Sequence, residues 1–128
     1  MQPHLDQPFE ALDDAARAEN RAAARRMSDV LASGGFALSD DPATPPVSQD
    51  ALAQSLETMA ETEHDGWMEH RARDGWTWGE TRDDTAKRHP SMVPYARLPE
   101  REKEKDRNNI RHYPAFAARA GYRIVRAG

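Results

Sequence analysis

Cysteine is absent from the 128-residue chain, which excludes disulfides, thiolate metal sites and cysteine nucleophiles. Long apolar runs are absent as well, so no membrane-spanning helix is expected. The first residues lack the basic and apolar regions of a signal peptide, and a cytoplasmic location is the expectation. Apolar residues make up only 38% of the chain and aromatic residues only 7%. The core must therefore be thin, and each aromatic side chain counts heavily in it. A basic stripe is missing too. Residues 1–60 carry a net charge of −6 and residues 61–128 a net charge of +2, which leaves room for a local anion site in the second part but not for a nucleic-acid-binding surface. The five histidines, at positions 4, 64, 70, 89 and 112, show no metal-ligand spacing, and no metal or other cofactor is expected. No serine or lysine sits in a readable nucleophile-and-base pattern, so the chain is not expected to be an enzyme.

What is present reads as helices separated by breakers. Phe9, Leu12, Ala16, Ala23, Met27, Val30 and Leu31 recur at helical spacing until Gly34-Gly35 stops the run. The stretch SDDPATPPV, residues 39–47, is a turn-rich connector. A second helix is expected from the Ser48 cap, with Leu52, Leu56 and Met59 on its apolar stripe. Continued by threes and fours, that stripe changes chemistry to Glu63, Trp67, His70 and Arg71. The tryptophans of WTWG, at alternate positions of a short strand, predict one shared face, read as turned to the core in preference to a ligand platform. Residues 79–98 follow as a long loop, of the length that often carries function. A third helix is expected from about Pro99, broken near Pro114 and ended at Gly121, with YRIV as a last strand.

Residues 20–38 also align without gaps on residues 106–124, placing Arg21 on Arg107, Arg25 on Arg111, Ala32 on Ala118, Gly35 on Gly121 and Phe36 on Tyr122. The first segment then reads as a half-copy of the last, each a helix feeding a strand through a glycine around a pseudo-twofold. The expected organisation is a helix plus strand over 1–38, a linker over 39–50 and a domain over 51–128.

Glu61 or Glu63 ahead of His64 and Trp67, then GWTWG (75–79), RDD (82–84), HPSMVPYARLP (89–99), Lys103 or Lys105 before Asp106-Arg107, and AGY (120–122) closely resemble the Ry domain. That repeat occurs in pairs in the cytoplasmic shell of ryanodine receptors and singly in bacterial and phage proteins. The resemblance spans residues 52–126, about six-tenths of the chain. It implies a mainly helical α+β fold, with antiparallel helices beside a short sheet. It also implies binding without catalysis, because one receptor repeat pair resembles an adenine-nucleotide site.

Carried over by position, the stacking tryptophan falls on Trp67 and the arginine one turn later on Arg71, both of matching type. The asparagine before the proline becomes His89, the arginine after it Ser91 and the asparagine of the last helix Asp106, so the ligand can differ as well. Glu63, Arg82 and Arg107 are candidates for a supporting layer. The chemistry is coherent on its own terms. An indole stacks on a base, a guanidinium forks onto phosphate, an imidazole reads a base edge or hydroxyl, and a carboxylate accepts from an amine or ribose diol. The same residues admit structural roles: Trp67 in the core, Arg71 paired with Glu63 or Asp74, His89 capping the loop, and Asp106 paired with Arg107 or Arg82. The functional expectation is a binder of an ADP-ribose-like, cyclic ADP-ribose-like or adenine nucleotide ligand, acting as sensor or sponge, with a homodimer as the candidate assembly. The alternative is a protein-interaction module with no small ligand.

Overall fold

The computed structural model describes residues 25–127. In chain order the elements are α1 (residues 25–33 of those described), β1 (Phe36–Ser39), α2 (Gln49–Gln54), α3 (Leu56–Arg73), β2 (Thr77–Trp78), β3 (Arg88–His89), α4 (Glu100–Arg111), α5 (Tyr113–Arg119) and β4 (Arg123–Arg126). The fold is mainly helical α+β, as expected. The strands form two separate pairs, β1 with β4 antiparallel and β2 with β3 parallel. None of the described helices is long and apolar enough to cross a membrane.

The helical stripe expected through Phe9, Leu12, Ala16 and Ala23 lies outside the described residues. Its continuation turns Met27, Val30 and Leu31 inward, where they join Phe36, Met59, Ile110, Tyr113 and Ile124 in one core. Gly35, with φ +87°, and Gly121, with φ +84°, take the left-handed conformation that lets each helix turn directly into a strand. Their turns carry the same bonds: Gly34 and Gly35 donate to the carbonyls of Leu31 and Ala32, while Ala120 and Gly121 donate to those of Ala117 and Ala118. The strand register is symmetric about the aligned positions. Leu38 pairs with Ile124, with Ala37↔Val125 on one side and Ser39↔Arg123 on the other. The connector between β1 and α2 lies along β4. Val47 donates to the Ile124 carbonyl at 2.9 Å, and Arg123 donates to the Pro42 and Thr44 carbonyls at 3.2 and 3.1 Å.

Ser48 caps α2 by accepting from the Ala51 amide at 3.1 Å. The single helix expected from there is broken at Ser55, whose hydroxyl donates to the Gly34 carbonyl at 3.3 Å. A side chain bonded across to another element in this way competes with helix continuation. The last helix starts after Pro99 and is interrupted at His112, with Pro114 in the first turn of α5. There the proline lacks the amide that would bond the Ile110 carbonyl, so the ladder stops.

The expected loop over 79–98 holds more structure than the sequence suggests. Asp83 and Arg88 exchange backbone bonds of 2.9 Å, and the Asp83 carboxylate accepts from the Thr85 and Ala86 amides at 3.0 Å. Asp83 of RDD is thus a turn anchor. The tryptophans do not share a buried face: Trp76 is 8% exposed and Trp78 is 56% exposed. Trp76 precedes β2, with its amide bonded to the Arg71 carbonyl at 2.9 Å at the end of α3. Trp78 sits on a two-residue strand whose only partner among the described residues is β3.

The β2–β3 pair is tight. A Cβ added at Gly79 would lie 2.7 Å from the Arg88 Cβ, an atom that moves only with its backbone. Gly79→Ala is therefore expected to lower stability by about 1–3 kcal/mol, read as a lower urea midpoint with an unchanged slope. A midpoint equal to that of the parent chain would show that the strands separate without cost.

Candidate functional site

Helix α3 brings His64, Trp67 and Arg71 onto one face at spacings of three and four. His64 is buried, and its Nε2 lies 2.7 Å from the Val93 carbonyl, so Nε2–H donates there and ties the proline-rich segment to the helix. The segment is tied a second time where the Tyr95 hydroxyl donates to Glu57 at 3.1 Å. The His64 ring lies nearly parallel to Trp67, at 27° with centroids 5.6 Å apart.

Arg71 lies between two indoles. Its Cζ is 4.7 Å from the Trp76 ring centroid and 5.7 Å from that of Trp67, within cation–π range of both rings. Neither Glu63 nor Asp74 pairs with it, and among the described residues it makes no ion pair. His89 closes the group, edge-on to Trp67 at 5.1 Å and tilted against Trp76 at 6.3 Å. The His89 Nδ1 accepts from the Ser91 amide at 3.0 Å, which leaves Nε2 as the donor. Burial first, then the Arg82 and Arg71 charges, push His89 below the usual imidazole range, so it is neutral at physiological pH.

Four of the expected ligand residues are therefore brought together: Trp67, Arg71, His89 and Ser91, the last through its backbone amide. Asp106 stands behind them, its Oδ2 3.8 Å from His64 Nδ1. Burial, with Glu63 and Glu102 adding to it and Lys105 opposing, pushes its carboxyl up to about 7. It pairs with neither Arg107 nor Arg82. Arg107 is taken up by Glu57, Glu100 and Glu104, and Arg82 by Asp84 at 2.8 Å. Arg82 acts on the group only as a charge near His89. Glu63 faces the interior and accepts from Arg26, Asn109 and Tyr113. Sequence reasoning omitted His64 and Trp76 from the site. The position of His64, three residues before Trp67 and seven before Arg71, is the signal that would have found it.

The Trp67 and His89 rings lie in contact, with no cleft between them. A flat base inserted between Trp67 and His89 needs two contacts of about 3.5 Å, roughly 7 Å between ring planes, against the observed centroid separation of 5.1 Å. A groove of about 600 Å³ is built from other residues, among them Pro42, Pro46, Leu52, Pro114, Tyr122 and Ile124. Among the described residues, no three acidic or histidine side chains converge as metal ligands.

A family model described as the RyR domain matches residues 47–126, a span that takes in α2 through β4 and every residue of the aromatic and cationic group. By that match over more than half its length, the chain belongs to the RyR domain family.

Proposed function

We infer that this protein binds a nucleotide-derived anion, of the ADP-ribose or adenine nucleotide class, without catalysing its turnover. The observation that carries the reading is Arg71: a guanidinium within cation–π range of Trp76 and Trp67, next to a neutral imidazole donor, with no carboxylate partner among the described residues. A guanidinium without a carboxylate partner has its N–H groups free for bidentate contact with phosphate. The net positive balance of residues 61–128 favours the same kind of guest. Binding a base on Trp67 requires His89 to swing away from the indole, so ligand entry is coupled to the segment that His64 and Glu57 hold. Capture alone would serve either a sensor or a sponge.

Thermal shift against ADP-ribose, its cyclic isomers, ATP and adenosine tests the reading. A ligand at 100 times its Kd is expected to stabilise the protein by about 2.7 kcal/mol, and Arg71→Ala is expected to remove the shift while the circular dichroism spectrum stays the same. A second reading, a protein-interaction module, is favoured by the closed contact of His89 on Trp67. It prevails if no compound in the panel moves the melting temperature.

A further inference from the structure

Trp67 has little free surface for a guest, because His64, Arg71 and His89 all lie against it. Trp78 is the opposite case. It is 56% exposed, and among the described residues its ring stacks on no other aromatic ring and lies under no cation. Leaving so large an apolar ring in water forgoes its burial.

Its position is fixed by the strand pair. Trp78 is the parallel partner of His89, and paired residues of neighbouring strands place their side chains on the same side of the sheet. Trp76, two residues earlier, packs with His89 and Arg71. The Gly79 amide donates to the His89 carbonyl at 3.3 Å, and Gly79 has no room for a Cβ against Arg88. The indole is thus presented by a tightly packed backbone, paired with His89 and two residues beyond the Trp76 that packs on Arg71.

We propose that Trp78 is the outer stacking platform of the ligand site, taking the purine base of a nucleotide whose phosphates are held by Arg71. The assignment rests on the nucleotide reading above and adds which ring receives the base. It does not require the base to displace His89 from Trp67.

The test uses the full chain and isothermal titration with ADP-ribose and ATP. Trp78→Ala is expected to melt like the parent protein, since the ring is exposed, and to bind about ten-fold or more weakly, the loss expected for one stacked base. Trp78→Phe, which keeps a flat ring, is expected to recover most of the affinity. Parent-like binding by Trp78→Ala, or Trp78→Phe binding as weakly as Trp78→Ala, overturns the assignment while leaving the nucleotide reading in place. Absence of binding by the parent protein overturns both.

Discussion

Glu63→Ala is expected to cost about 3–5 kcal/mol of folding stability, the range for removing one partner of a buried charged network. The carboxylate accepts from Arg26 Nε at 3.1 Å, Asn109 Nδ2 at 3.3 Å and the Tyr113 hydroxyl at 2.8 Å. It thereby ties α1, α4 and α5 to α3 through one side chain. Burial, followed by the Glu63 charge, pushes the Tyr113 phenol far above its usual range. With Glu63 gone, that hydroxyl stays buried with no acceptor from this network, whereas Arg26 is near enough to the surface to reach water. The lower part of the range is therefore the better expectation. Tyr113→Phe removes the donor instead and is expected to cost only about 1 kcal/mol. Urea unfolding of both single variants and the double variant checks this. Additive losses would show that the contact carries no coupling.

Asp106→Asn is expected to do the reverse and stabilise the protein at alkaline pH. The folded state holds the Asp106 proton up to about 7, against 3.8 for a free carboxyl. Between those values the folded protein carries a proton that the unfolded chain has released, so raising the pH through this window removes stability. The full loss is in force above pH 7. A displacement of that size corresponds to at most about 4 kcal/mol. The side chain is 23% exposed, and water screens part of the effect, so about 2 kcal/mol is the better expectation. Glu63 and Glu102 work to hold the proton on Asp106, and Lys105 works against it. Asparagine supplies a neutral side chain of the same shape at every pH. Chemical unfolding should give nearly equal stabilities for the two proteins at pH 4 and a gap of about 2 kcal/mol in favour of Asp106→Asn at pH 8. Parallel stability curves across that range would show that Asp106 ionises normally in the fold.

The features legible in the sequence are those fixed by chemistry close along the chain. Ser48 caps because its hydroxyl reaches an amide three residues on. Gly35 and Gly121 mark helix-to-strand turns because their φ values suit glycine, and Pro114 breaks a helix because it lacks an amide. Helical spacing likewise put Trp67 and Arg71 on one face. The misjudged features depend on partners distant in sequence. Ser55 interrupts a helix because of the Gly34 carbonyl. Asp106 meets His64 rather than Arg107 or Arg82, and Arg107 is engaged by three glutamates, one of them on α3. Alternation put both tryptophans of WTWG in the core, yet only Trp76 has a helix end to pack against. Periodicity tells which residues share a side, not whether anything covers that side.

The β1–β4 ladder also dictates an order of events during synthesis. Leu38 finds its partner Ile124 86 positions later, and a ribosome adding about 5–20 residues per second takes several seconds to make that stretch. Throughout that interval the nascent β1 has no native strand to bond, although core partners of Phe36 such as Met59 and Ile110 are made before it ends. The β1–β4 ladder is therefore among the last contacts to form, and the rate of reaching the native state includes the time two segments far apart in the chain take to meet.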